Sequence, residues 1–330
     1  MTNAIRTRIK GTGSFLPEKL LTNADLEKLV DTNDQWIVER TGIHTRHLAA
    51  EKQTNSDLAF EASKRALEAA HLKPSDIDLI IYATVSPDRL MPSCACILQK
   101  KLGCGNIMAF DLNAACSGWL YGVSLVDTLV KSGQYKNVLM VGSEVLHAFV
   151  DYTDRETCIL FGDAAGAAIF GPATDAEDSK IFSTHMHADG QLSELLSLDA
   201  GGSALPGYAV QNQRDFYIRM SGREIFKSAV RAMVHACGEA LQGNGMKSED
   251  ISWLIPHQAN LRIIDAVASY FKFPVEKCIV NLQKTGNTSA ATIPMALDGA
   301  IRDGRIQRGQ NILMTAFGAG LTSGSVLLKY

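Results

Sequence analysis

The chain has 330 residues, 46% of them hydrophobic, with a formal net charge of -3. This composition suits a globular protein with a sizeable buried core, and the near-balanced charge offers no footprint for nucleic acid or another polyanion. No apolar run approaches the roughly 20 residues that cross a bilayer, so no membrane partner is expected.

The first residues, "MTNAIRTRIKGTGSFLPE", lack the apolar core of a signal peptide and read as a first strand. A cytoplasmic protein is the expectation. The "GTG" at 11–13 is followed by no helix with a G-x-G-x-x-G pattern, so it is not read as a phosphate site. In "DTNDQWIVERTG" (31–42), Thr32, Asn33 and Asp34 are capping candidates for a short helix that Gly42 stops. Trp36 and Arg40 fall on one face of it. They suit either a nucleotide base with its phosphates or plain packing beside a solvated charge.

An alternation of strands and helices follows. "DLIIYATVS" (78–86) is a buried strand, "SCACILQKKLG" (93–103) a helix ending at Gly103, and "IMAFDLNA" (107–114) another apolar strand. A helix buried on all sides is expected from Ser117 to Ser132, then a strand over 137–145. "CILFGDAAGAAIFG" (158–171) reads as two strands around a Gly/Ala-rich turn. The polar 171–180 stretch is the best boundary between two halves, 1–175 and 176–330. His185 and His187 form an H-x-H on an expected strand. No carboxylate sits at a ligand-like spacing beside them, so they read as structural. The order then recurs: strand and loop over 252–260, helix over 261–271, strand and turn over 277–287, helix over 288–304, and strands over 311–320 and 324–330. The βαβ alternation with continuous apolar strands indicates an α/β fold of mostly parallel sheets covered on both faces. Aligning the two series sets Asn287 against Cys116. Cys116 precedes Val138, at the start of its following strand, by nearly the same interval as Asn287 precedes Ile312.

The seven cysteines (Cys94, Cys96, Cys104, Cys116, Cys158, Cys237 and Cys278) are odd in number and contain no C-x-x-C pair. A disulfide framework is not expected of such a chain. The spacing of the first three is poor for zinc, and no metal is expected. In "NAACSGWLYGV" (113–123), Cys116 heads a helix, where unpaired N–H groups and the positive dipole end favour a thiolate. Small neighbours leave room for a carbonyl. On this stretch alone an inert buried thiol is the commoner fate. "PHQANLRI" (256–263) shifts the balance, because His257 stands at the C-terminal end of a strand, where open α/β sheets place ligands. In "GNTSAA" (286–291), Gly286 permits a tight turn and Asn287 heads the next helix, either as an N-cap or as a cleft residue. "FGAGLTSG" (317–324) is a glycine-rich turn able to present a backbone N–H to an oxyanion.

Taken in order, "GTGSFLPE", "DTNDQWIVERTGI", "AACSG", "GDAAGAA", "HADG", "MSGREIFK", "PHQANLRI", "GNTSAA" and "AFGAGLTSG" resemble the thiolase superfamily. More closely, they are similar to the β-ketoacyl-acyl-carrier-protein synthase III family, the initiating condensing enzymes of dissociated fatty-acid synthesis. The resemblance spans essentially the whole chain. It implies a thiolase-like fold of two pseudo-duplicated halves, with mixed, mostly parallel sheets sandwiching buried helices. It implies Cys116 as acyl-accepting nucleophile, His257 and Asn287 as the pair promoting decarboxylation, and the N–H groups of Cys116 and Ala319 as oxyanion donors. It places acyl-CoA against Thr32, Trp36, Arg40, Arg155, Gly222 and Asn260. It places malonyl-acyl carrier protein against Gln258, Ala259, Asn260, Leu261, Arg262 and Lys227. Met91 and Phe317 match the acyl pocket. A homodimer is implied, and no cofactor. The Cys, His, Asn set favours the initiating type over thiolases (Cys, His, Cys) and chain-elongating synthases (Cys, His, His). The alternatives are a secondary-metabolism relative using an unusual acyl or aryl group, a silent ketosynthase partner, which should lack Cys116, and a thioester hydrolase. Two departures stand out. Ala319 and Ser323 occupy the last loop, where the family often has Gly and Trp. An alanine there keeps its donor only if its φ is negative. Met91 stands where aromatic residues are common.

Overall fold

The structure is a computed structural model that describes residues 5–173 and 178–330. The expected boundary at 175/176 lies outside the described residues. The strands are β1 (Thr7–Phe15), β2 (Lys19–Thr22), β3 (Thr45–Leu48), β4 (Leu79–Ala83), β5 (Met108–Leu112), β6 (Val138–Glu144), β7 (Ala164–Pro172), β8 (Lys180–Ala188), β9 (Leu196–Ser197), β10 (Arg219–Met220), β11 (Trp253–Pro256), β12 (Asn311–Gly318) and β13 (Thr322–Lys329). The α-helices are α1 (Asn23–Leu26), α2 (Asp34–Thr41), α3 (Asn55–Ala70), α4 (Cys94–Leu102), α5 (Gly118–Lys131), α6 (Gly222–Gly243), α7 (Leu261–Tyr270), α8 (Leu282–Thr285) and α9 (Thr292–Arg302). Among the described residues, no helix is long and apolar enough to cross a membrane.

Two main sheets result, ordered β1-β7-β6-β4-β5 and β11-β12-β13-β8. Both are mixed. Among the described residues, the parallel strand pairs of these sheets are β4 with β5 and β6, and β11 with β12, while the flanking strands pair antiparallel, so the expectation of mostly parallel sheets is corrected. Apolar side chains of α5 and α9 share one core with strands of both sheets, so these two helices lie between them. Helices α3 and α4 cover the outer face of the first sheet, and α6 and α7 that of the second. Strands buried on both faces read as unbroken apolar runs, which is why β4 and β6 were legible.

The two series superpose with a fixed offset. Leu79 pairs with Val138 at the start of β4 and β6, and Trp253 pairs with Ile312 at the start of β11 and β12. The step along the chain from Leu79 to Trp253 equals the step from Val138 to Ile312.

Local chemistry explains most boundaries. The Asn33 side chain accepts from Trp36 N at 2.8 Å to start α2, and Gly42, with φ 79°, ends it. Helices α3 and α6 are absent from the expected elements. In α3 the signal was present: Thr54 N donates to Asp57 Oδ2 at 2.8 Å, ahead of a buried stripe at Leu58, Ala62 and Ala66.

Three expectations change. The 158–171 stretch holds one strand, β7, and Phe161 makes only an isolated bridge with Asn287. The 277–287 stretch is no strand. It keeps one isolated bridge to β11, with Ile279 N donating to Leu254 O at 2.9 Å, and beyond it the Gln258 side chain takes over, Nε2 donating to Ile279 O at 3.1 Å and Oε1 accepting from Asn281 N at 3.2 Å. Helix α5 is not buried all round, for Leu125, Thr128 and Lys131 are exposed. Strand β5 is an edge strand with an exposed Met108.

Candidate active site

After β5 the chain turns through Asn113 and Ala114 into a 3-10 turn over Ala115–Ser117, which feeds α5. Ala115 takes φ 47°, a left-handed conformation costly for a residue with a Cβ. Asn113 Oδ1 accepts from Ala115 N at 3.3 Å and shapes the turn. The second series repeats this. Ser289 takes φ 46°, Asn287 Oδ1 accepts from Ser289 N at 2.9 Å, and a 3-10 turn over Ser289–Ala291 feeds α9. Ala115 and Ser289 are separated by the same offset that relates the strands of the two series. The alignment of Asn287 with Cys116 is therefore corrected: Asn287 corresponds to Asn113, and Cys116 to Ala290.

Asn287 is nonetheless a cleft residue. Its backbone is clamped by Asn287 N donating to Leu160 O (2.8 Å) and Gly162 N donating to Asn287 O (3.0 Å). Because its own turn occupies the side-chain oxygen, the amide NH₂ is the free end. Gly286 makes the approach possible. It has φ 65°, and a Cβ there would lie 2.8 Å from Leu160 O.

His257 follows β11, and its N–H donates to Thr315 O at 2.8 Å, which extends the ladder. Nδ1 is 2.7 Å from Thr292 Oγ1, on the first turn of α9. The same hydroxyl lies 2.9 Å from Ser289 O. Thr292 Oγ1 donates to Ser289 O and stands within hydrogen-bond reach of Nδ1, which fixes the imidazole plane.

Cys116, His257, Asn287 and Phe317 line one cavity of about 710 Å³, mouth included. They come from four separate segments. Cys116 is 8%, His257 3% and Asn287 7% exposed, so all three are buried at the floor of the cavity. Gly318, after Phe317, presses its backbone on the Cys116 turn: a Cβ there would lie 2.6 Å from Cys116 N. Ala319 is not among the non-glycine residues with positive φ, so the condition for its N–H to act as a donor is met.

Burial dominates the electrostatics. It pushes the Cys116 thiol up to about 12, with the Glu144 charge adding to the effect. The thiol is therefore the resting form. Burial holds His257 down at about 3, so it is neutral at physiological pH. Glu144, fully buried behind the cavity, is raised by burial to about 7, although Thr84 Oγ1 (3.0 Å), Val85 N (3.1 Å) and Ser86 N (3.1 Å) donate to it. The Ser289 hydroxyl lies close enough to Cys116 and Glu144 to lower both, without an aligned hydrogen bond to either.

The mouth gathers most of the other expected residues. The Arg40 and Arg155 guanidinium carbons stand 4.9 and 4.4 Å from the Trp36 ring centre. Asn260 Nδ2 donates to Arg40 O at 2.9 Å, and Asn260, Ala259 and Gly222 line the cavity. Arg262 lies over Phe226, itself a cavity residue, at 5.7 Å, and the next residue along α6, Lys227, is exposed.

Four placements differ from expectation. Gln258 is fully buried, with its amide nitrogen donating to Pro256 O and Ile279 O, so its side chain ties the fold together rather than standing at the surface. Leu261 packs under Gly42 and serves the core. The Thr32 hydroxyl is buried without a partner among the described residues. Met91 is 81% exposed and does not line the cavity, because the 86–92 loop turns outward beyond β4. Thr292, Ser289 and Glu144 escaped the sequence reading. Each acts through a neighbour distant in sequence, and only "GNTSAA" hinted at one of them.

Comparison with known proteins agrees with this geometry. Family models described as 3-oxoacyl-(acyl-carrier-protein) synthase III and its C-terminal part match residues 110–190 and 241–330. The beta-ketoacyl-(acyl-carrier-protein) synthase III of Xanthomonas campestris pv. campestris is 50% identical over 330 residues, covering 100% of both chains. That of Thiobacillus denitrificans is 50% identical over 325 residues, covering 98% of this chain and 99% of the relative. The crystal structure of 3-oxoacyl-(acyl-carrier-protein) synthase III from Aquifex aeolicus VF5 matches with a TM-score of 0.91 at 49% identity, covering 98% of this chain and 100% of that one.

Proposed function

Because the chain belongs to the β-ketoacyl-acyl-carrier-protein synthase III family, the initiating condensing enzymes of fatty-acid synthesis, we propose that Cys116, His257 and Asn287 carry its two half-reactions. The observation that supports this is their convergence, buried, in one cavity from separate segments of the chain.

In the first half-reaction Cys116 sulfur attacks the thioester carbonyl of an acyl-CoA, with acetyl-CoA as the primer. The C–S bond to CoA breaks, the acyl group stays on Cys116, and the thiol proton leaves with CoA. The N–H groups of Cys116 and Ala319 hold the tetrahedral oxyanion. In the second, the malonyl thioester of an acyl carrier protein loses CO₂, and negative charge develops on its carbonyl oxygen. The Asn287 NH₂ and the His257 Nε2–H donate to that oxygen. The resulting enolate carbon attacks the acyl-Cys116 carbonyl and expels the thiolate, giving the 3-oxoacyl carrier thioester. An amide takes no proton as a base, so decarboxylation rather than proton abstraction generates the nucleophile. The chemistry closes without a metal or redox cofactor.

Donation from Nε2 requires the neutral ring to carry its proton there. Nδ1 must then accept, and Thr292 is the donor within reach. CoA is assigned to the mouth at Trp36, Arg40, Arg155, Gly222 and Asn260. An acidic carrier protein is assigned to Arg262 and Lys227. A homodimer through the β5 edge is supported by its unpaired backbone and by the exposed Met108 and Leu125. Met91 can then serve an acyl pocket only across that interface. Halves of 1–175 and 176–330 are supported by the constant offset between the two series. A cytoplasmic location is assigned with the thioester substrates of the reaction.

The test is incubation with a panel of acyl-CoAs, followed by peptide mass spectrometry. The acyl mass is expected on Cys116, with acetyl-CoA supporting condensation with malonyl-carrier protein. No acylation of Cys116 by any member of the panel overturns the assignment. Asn287→Ala is expected to cut decarboxylation roughly 100- to 1,000-fold and to leave acylation standing.

A further inference from the structure

One cluster of metal-ligating side chains lies outside this cavity. His187, near the end of β8, faces α6, where His235 and Glu239 stand one turn apart. His187 Nε2 is 2.5 Å from Glu239 Oε2, and His235 Nδ1 is 3.6 Å from the same oxygen. All three donor atoms lie within 4.8 Å of one another, and the two rings meet edge to face at 5.4 Å. The strand side is anchored, since the Tyr121 hydroxyl donates to His187 O at 2.7 Å. The carboxylate missing from the neighbourhood of the H-x-H in sequence is supplied from 52 residues away.

We propose that His187, His235 and Glu239 bind a divalent transition-metal ion, with zinc(II) the best match. Two imidazoles and one carboxylate are a zinc donor set, and they leave a fourth position for water. Calcium and magnesium require oxygen shells that this set does not provide. Ligands about 2.0–2.1 Å from a tetrahedral ion lie about 3.3 Å apart. The Glu239–His235 separation is already close to that. The His187–Glu239 separation opens by less than about 1 Å when the ion replaces the proton they share, and these half-exposed side chains can turn that far. On its other side α6 carries Ile225, Ala229 and Met233 into the cavity wall. The ion therefore pins the far part of that wall helix to β8, and no step of the condensation runs through it.

The experiment titrates the metal-stripped full-length protein with zinc(II) by calorimetry, and with cobalt(II) by absorption. One ion per chain is expected, with a cobalt spectrum free of thiolate charge-transfer bands and a melting temperature that rises with added zinc. His187→Asn and Glu239→Gln should each abolish uptake and the thermal shift, while Cys116 acylation continues. His235→Ala, on the exposed side of α6, serves if either of these fails to fold. No uptake with metal in excess, uptake surviving in any folded variant, or cobalt–thiolate bands would each overturn the site.

Discussion

Replacing Thr292 by valine removes one hydroxyl and almost no volume, and it tests how the histidine is set. In the native site Thr292 Oγ1 sits 2.7 Å from His257 Nδ1 and 2.9 Å from Ser289 O. Burial holds the ring neutral, so a single proton must choose between its two nitrogens. Thr292 Oγ1 donates to Ser289 O; the proposed roles require it to turn that proton to Nδ1, which puts the ring proton on Nε2, the nitrogen proposed to face the substrate carbonyl. With valine, that arrangement leaves a buried Nδ1 lone pair unpaired, at a cost of about 1–3 kcal/mol. At about 1.4 kcal/mol per factor of ten, decarboxylation should slow roughly 5- to 150-fold. Acylation of Cys116 does not call on the Nε2 proton and should change much less. The assay measures CO₂ release from malonyl-carrier protein alongside the single-turnover acylation burst. Thr292→Ser keeps the hydroxyl and should restore most of the rate. An unchanged CO₂ rate in Thr292→Val, equal losses in both half-reactions, or a serine variant as slow as the valine one would refute the reasoning.

Gly286→Ala forces a Cβ into positive φ and against Leu160 O, so it should cost about 1–3 kcal/mol in chemical denaturation; unchanged stability would show that this turn relaxes freely. Two buried groups set opposing pH slopes. His257, held at about 3 against 6.5, contributes stability that is whole above pH 6.5 and is lost as pH falls toward 3. Glu144, held at about 7 against 4.5, contributes stability that is whole below pH 4.5 and is lost as pH rises through 7. Glu144→Gln removes the second slope. Between pH 5 and 7 its stability should rise with pH more steeply than the parent's, by up to about 1.4 kcal/mol per pH unit, and parallel urea-derived profiles would contradict this. Met108→Glu places a charge on the β5 edge and should yield monomers in sedimentation; an unaltered dimer would move the interface elsewhere.

Local structure was legible where local chemistry decides it. The apolar runs of β4 and β6, the cap at Asn33, the stop at Gly103 and the helix head at Cys116 all depend on residues a few positions apart. The motif order carried the family, and with it the expected nucleophile, histidine and asparagine. Even the repeat left a trace in the spacing, since the interval from Asn287 to Ile312 slightly exceeds that from Cys116 to Val138. The excess equals the step from Asn113 to Cys116, which is the error in the first alignment.

The tertiary structure alone decided which side chains meet. Asn287 owes its free amide to its own turn and its position to the Leu160–Gly162 backbone. Thr292 reaches His257 only because α9 and β11 pack together. Gln258, in the middle of a functional-looking motif, spends its amide on the backbone of Pro256, Ile279 and Asn281. Met91 points away from the cavity, and His187 gains a carboxylate from a helix the motif search did not register. Sequence periodicity specifies the face an element buries. It does not specify which distant element covers that face, because that contact is fixed by packing among residues far apart along the chain.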